Sequence, residues 1–235
     1  MTSKIESFLH NPAFGVALTL LLYCLAVYFK RRRGWGWIHP LILTSGIIMV
    51  VLQVGDIPLA WYKSGGDWIS WALGPATVAL AVPLYKHAPL IRSKLTAVLA
   101  GITIGSIVSA VSTACFLAAS GASSQLLFSA LSKSSSAPFS MAIASRLGGI
   151  PELAAALSVL TGLLGSLAGP ALLRLCGVKE DVPLGAAVGT GSHGIGTARL
   201  MSMSELQGSV SGFAMASAGL ITSLLMLPVY WWLSQ

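Results

Sequence analysis

Charged side chains are scarce in this sequence. Asp, Glu, Lys and Arg make up 9% of its 235 residues, and only seven of them are acidic. A soluble domain carries roughly 25% charged residues, so a water-soluble globular fold is excluded. No stretch between the apolar segments is polar enough to supply one separately. Cysteine is also sparse: Cys24, Cys115 and Cys176 each lie in or beside an apolar run without metal-ligand spacing. They read as small buried hydrophobes with no metal or redox role. No small-residue cleavage site is present, and the cationic run Lys30-Arg31-Arg32-Arg33 follows the first apolar stretch instead of preceding it. A cleavable secretory leader is therefore not expected. The net charge of +7 would suggest nucleic acid in a soluble protein, but here the cations gather where apolar runs end. That is where membrane orientation requires them, so no nucleic-acid partner is expected.

What remains is apolar sequence in lengths that fit a bilayer, where roughly 20 helical residues span the hydrocarbon core. Pro12 to Phe29 is the first span, and the four cations after it place its end in the cytoplasm. Trp37 to Gly55 runs outward, and residues 56–67, with Asp56, Lys63, Gly65-Gly66 and Asp67, read as a short external loop. Trp68 to Tyr85 returns, anchored by Trp68 and Trp71, to a basic internal loop of Lys86, Arg92 and Lys94. Leu95 to Ala119 goes out again, and its Gly101-Gly105 spacing reads as close helix packing. Pro151 to Leu175 and Leu206 to Leu233 are further spans. Residues 1–67 read as N-terminal scaffold helices and 68–235 as a core.

Two stretches of that core are polar and rich in glycine or serine: residues 132–138 and 189–199. Unpaired backbone amides cost several kcal/mol each in lipid, so such breaks survive only in protein or beside a wet cavity. If both broken segments cross the membrane, Arg174 and Lys179 lie outside, and Arg146 and Arg199 inside. If both are re-entrant hairpins, Arg174, Lys179 and Arg199 lie inside and only Arg146 outside. The positive-inside bias favours hairpins by one cation. A shift of 58 residues places Ser134 on Ser192 and Pro170 on Pro228, a weak internal repeat. The expected fold is an all-α polytopic membrane protein, an inverted repeat whose two broken or re-entrant hairpins meet near the midplane, with elevator-like motion.

Leu73-Gly74-Pro75-Ala76-Thr77-Val78-Ala79-Leu80-Ala81-Val82-Pro83-Leu84-Tyr85 resembles a hallmark of the LrgB/CidB family, as do Gly148-Gly149-Ile150-Pro151, Thr161-Gly162 and Gly189 through Arg199. Asn11-Pro12 is similar to the family's start. The family includes bacterial proteins named for effects on murein hydrolase activity and the C-terminal half of the plastidal glycolate/glycerate translocator. The resemblance implies a small-carboxylate carrier, often beside a small membrane protein of LrgA type. One motif departs. The family's Pro-Lys-Ser-Val-Thr-Thr-Pro-Ile-Ala reads here Ser132-Lys133-Ser134-Ser135-Ser136-Ala137-Pro138-Phe139-Ser140, so the two threonines become Ser136 and Ala137.

A small hydroxycarboxylate needs positive charge at one end and hydroxyl partners at the other. Half-helix N-termini offer free amides and a partial positive charge. Gly191, Gly194 and Gly196 permit close backbone approach. Ser134, Ser135, Ser136, Ser192 and Thr197 supply hydroxyls that donate and accept. Pro138 suits the first turn of a resuming helix. Lys133 reads either as fixed positive charge or as a snorkelling side chain, and His193 either as an anion partner and proton carrier or as a neutral residue of a tight turn. No catalytic triad, metal-ligand set or dinucleotide loop emerges, so neither enzyme activity nor a cofactor is expected. The expected function is secondary transport of a glycolate-, glycerate- or pyruvate-like acid across the bacterial cytoplasmic membrane. The expected partners are membrane lipid and an LrgA-type protein or a second copy of the chain. The competing reading is a holin- or antiholin-like regulator of murein hydrolase activity.

Overall fold

The computed structural model describes residues 9–33 and 40–233. Among the described residues every regular element is helical, and the chain divides into two compact units, one ending at Ala79 and the other beginning at Leu80.

The first unit holds α1 (Pro12–Arg33), α2 (Pro40–Val54), α3 (Leu59–Trp71) and α4 (Leu73–Ala79). Helix α2 is shorter than the expected span from Trp37, and residues 37–39 lie outside the described residues. The expected loop at 56–67 is instead mostly helix, since α3 carries Lys63, Gly65, Gly66 and Asp67. The reason is packing. Gly65 lies against Gly15 and the Pro12 carbonyl of α1, where no Cβ would fit. The Thr19 and Tyr62 hydroxyls meet at 2.9 Å across the same contact.

The second unit holds α5 (Ala81–Ser93), α6 (Leu95–Ala119), α7 (Ser124–Ala130), α8 (Ala137–Leu147), α9 (Pro151–Leu175), α10 (Asp181–Met201) and α11 (Glu205–Leu233). Proline opens α9 and sits in the first turn of α8, while glycines with positive φ follow α6, α8 and α9: Gly121, Gly148 and Gly177. This is the usual punctuation of helix starts and stops. The expected span from Trp68 to Tyr85 is not one helix but parts of α3, α4 and α5. Pro75 and Pro83 lack the amides that would bond to Trp71 and Ala79, next to the interruptions at Ala72 and Leu80.

Both polar stretches reverse the chain. The Ser129 hydroxyl accepts the Ile150 amide at 2.8 Å across 21 residues. A continuous helix would hold these residues roughly 30 Å apart. Helices α7 and α8 are therefore the two limbs of a hairpin that turns at 131–136. Helix α10 folds back on itself at His193, and Leu184 and Val188 of its first limb pack with Leu200 of its second. Helix α11 then runs beside both limbs. Gln207 donates to Asp181 at 2.6 Å, and Ser211 meets Thr197 at 2.8 Å.

Ion pairs fix which end is which. Lys94 beside α6 reaches Glu180 at 3.5 Å, and Lys86 of α5 reaches Glu205 at 2.9 Å. Lys86 and Arg92, expected in an internal loop, lie within α5, and Lys94 is its C-cap. This part of α5, Glu180 and Glu205 therefore share one end of the unit, and the second hairpin opens there. The first hairpin follows α6 and so opens at the opposite end. The three cysteines, expected to be buried, are exposed. In a bundle whose surroundings are lipid, a small apolar thiol gains nothing by facing inward.

Candidate functional site

Serine competes with helix formation by bonding to nearby backbone, and at the first turn it does so repeatedly. Ser140 donates to the Ser132 carbonyl at 2.6 Å and to the Ser135 carbonyl at 3.3 Å. Ser158, from α9, donates to the Ser135 carbonyl at 2.5 Å. Carbonyls of the turn beyond α7 thereby gain hydroxyl donors. The hydroxyl of Ser135 itself is buried and has no hydrogen-bond partner among the described residues. Ser136 holds the N-cap position of α8 in extended backbone, and Pro138 follows in its first turn.

At the second turn His193 adopts φ 38° and ψ −131°, a conformation that costs a non-glycine residue about 1–3 kcal/mol and persists only where surroundings enforce it. Its ring enforces it: Nε2 donates to the Ser158 carbonyl at 2.9 Å and lies 3.3 Å from the Ser158 hydroxyl. Ser158 thus joins the two turns, one through its side chain and the other through its backbone. Space for this comes from α9. A Cβ on Gly162 would stand 2.5 Å from the His193 ring, and one on Gly165 would overlap the Ser192 hydroxyl. Below the turn Thr197 donates to the His193 carbonyl at 2.7 Å, and the Arg199 guanidinium donates to the Ser166 carbonyl.

The polar turns lie deep. At 1.5 Å per residue Ser109 is roughly 22 Å along α6 from Lys94, and its hydroxyl meets that of Ser134 at 2.6 Å. A cleft of about 430 Å³ runs along this face of α6, from Lys94 past Gly101 and Gly105 to Ser109, with Thr190 and Gly191 opposite.

Of the expected site residues, Ser134 and Gly191 line the cleft. Ser135, Ser192 and His193 are buried in the junction between the turns. Lys133, half-buried, is not among the cleft's lining residues, and Gly194 and Pro138 are exposed. Gly196 and Thr197 serve the fold: Gly196 packs on Val188 across the hairpin, and Thr197 bonds to Ser211. Sequence reasoning missed Ser109, Ser158 and Thr190. Ser109 and Ser158 lie in long apolar spans whose hydroxyls look like packing, and Thr190, although inside the polar stretch 189–199, was not among the hydroxyls singled out there. The Gly101-Gly105 spacing, expected to seat a neighbouring helix, does not: Gly101 faces open space and Gly105 meets only the Thr190 methyl, at 3.4 Å.

A polar junction buried among long apolar helices defines the class: an all-helical, multi-pass membrane protein. Among the described residues five stretches are long and apolar enough to cross a bilayer. The model of the LrgB-like family matches residues 19–232, and the chain belongs to that family. Its location is the bacterial cytoplasmic membrane. Among similar proteins are two from Bacillus subtilis (strain 168), the uncharacterized proteins YxaC and YwbG. YxaC is 31% identical over 92% of this chain and 94% of its own length, and YwbG 30% identical over 87% and 91%. The antiholin-like protein LrgB of Bacillus mycoides (strain KBAB4) is 28% identical over 94% of this chain and 96% of its own. No solved structure matches the chain.

Proposed function

We propose that this chain is an antiholin-like membrane protein of the LrgB kind, and that its molecular activity is passage of a small monocarboxylate through the junction of its two hairpins. The first half rests on the relatives' printed name, antiholin-like protein LrgB. That name backs regulation of murein hydrolase activity better than carriage of any acid. The second half rests on one observation: Ser158 ties together two chain reversals, at Ser135 and at His193, deep within a helical bundle. Broken helices meeting in this way are the usual setting of a solute site in secondary transporters, whereas assembly of helices into pores needs no such junction.

In this reading the first hairpin with α9 and the second with α11 form an inverted repeat, and Pro170 and Pro228 hold matching places inside the two long helices. Alternating access moves this core against the N-terminal helices, a second copy or an LrgA-type partner. The carboxylate is held by the Ser134 hydroxyl beside the glycine backbone at Gly191, with Lys133 supplying charge, and no cofactor takes part.

Uptake of labelled glycolate and pyruvate into proteoliposomes tests this, with a Ser134/Ser136/His193 triple alanine variant as the comparison. We expect uptake by the native chain and at least a tenfold loss in the variant. Equal uptake by both removes these residues from the site. No uptake of either acid, together with leakage of a trapped dye, leaves regulation through pores as the activity.

A further inference from the structure

The cleft along α6 has features that a helix-packing seam lacks. Its walls are glycine, alanine, valine and proline, and Gly101 touches nothing, so its missing side chain leaves space that no neighbouring helix fills. Its two ends are polar. At the outer end stands Lys94, whose side chain is about half exposed and whose ammonium is only loosely paired with Glu180 at 3.5 Å. At the inner end the Ser109–Ser134 hydroxyl pair closes it beside Thr190 and Gly191. A lipid chain lodged here would press its methyl end against hydroxyls. A volume of about 430 Å³ instead holds roughly a dozen waters at about 30 Å³ each, or a small anion with part of its hydration shell.

We propose that this cleft is the hydrated access path for a small anion between the Lys94 end and the hairpin junction, with its bore set by Gly101 and its inner gate formed by Ser109 and Ser134. Lys94 and Glu180 form the outer checkpoint: an arriving carboxylate takes the place of Glu180 against the ammonium, then loses that contact as it moves inward. The path rests on the carboxylate reading above for its cargo, but not for its water.

The experiment starts from a chain with Cys24, Cys115 and Cys176 replaced by alanine. All three are exposed and free, so the background keeps the interior intact. Gly101→Cys, an exposed position lining the cleft, is compared with Ile104→Cys, 61% exposed on the same helix but outside the cleft. A membrane-impermeant charged thiol reagent applied from the Lys94 side labels Gly101→Cys at least tenfold faster than Ile104→Cys if the cleft holds water. Equally slow labelling of both means a lipid-filled groove and overturns the proposal. Gly101→Trp then fills the space without meeting a neighbouring atom at its Cβ. We expect at least a tenfold fall in glycolate uptake with no change in membrane abundance or melting temperature. Undiminished uptake by this variant also overturns the path. If the native chain moves no acid while Gly101→Cys still labels fast, the carboxylate reading fails and the hydrated cleft stands. If the native chain transports and Gly101→Cys stays unlabelled, the cleft alone fails.

Discussion

His193 concentrates two opposing effects in one residue. Its backbone sits at a positive φ that burdens any side chain with a Cβ, while its ring pins the turn to the Ser158 carbonyl. Replacement by glycine relieves the first and loses the second; replacement by alanine keeps the strain and loses the bond. His193→Ala is therefore expected to be less stable than His193→Gly by about 1 kcal/mol, read as a lower melting temperature in detergent. Equal melting would mean that the backbone carries no strain. Gly165→Ala sets a methyl group on the Ser192 hydroxyl, an overpacking expected to cost about 1–3 kcal/mol, whereas Gly101→Ala enters open space inside a helix and slightly raises the melting temperature. The polarity of these residues was legible in the sequence, but their partners were not. A separation of 35 residues from Ser158 to His193 leaves no periodic trace. Nor does a sequence distinguish Gly196, which packs the hairpin together, from Gly191, which borders a cavity.

A hairpin and a crossing helix have the same hydropathy, because the backbone's direction after a break is invisible to composition. The serine run and the histidine loop therefore located the two reversals but left the path of the chain open, while the interruptions next to Pro75 and Pro83 were not anticipated. Long-range bonds decide it: Ser129 with Ile150, and the two lysines with Glu180 and Glu205. Topology reporters inserted after residues 121, 149 and 180 give the check. The first two are expected on the external face and the third in the cytoplasm. Opposite faces for 121 and 149 would restore the crossing arrangement. Helix α3 was missed for a related reason. Lys63, Asp67 and paired glycines look like a loop, but Gly65 is there to admit the backbone of α1.

The membrane class was the most legible property of all, because it depends on summed apolarity and needs no knowledge of contacts. The second unit's outward faces carry large apolar side chains, among them Leu164 near the middle of α9 and Leu175 at its end, 68% and 83% exposed. A lysine at the first position meets hydrocarbon; at the second it reaches the interface. Leu164→Lys is expected to raise the apparent insertion free energy of α9 by about 2.5–3.5 kcal/mol, while Leu175→Lys leaves it nearly unchanged. Comparing inserted and translocated fractions measures this, and equal fractions would place Leu164 away from lipid. Synthesis order matters as well, because both limbs of the second hairpin lean on α11, which leaves the ribosome after them. Neither limb is long enough to cross a bilayer by itself, so the nascent hairpin has no seat until those last 29 helical residues have emerged. A truncation between Met201 and Glu205 therefore yields a chain with its polar turn stranded, a substrate for membrane quality control and not a partly working protein.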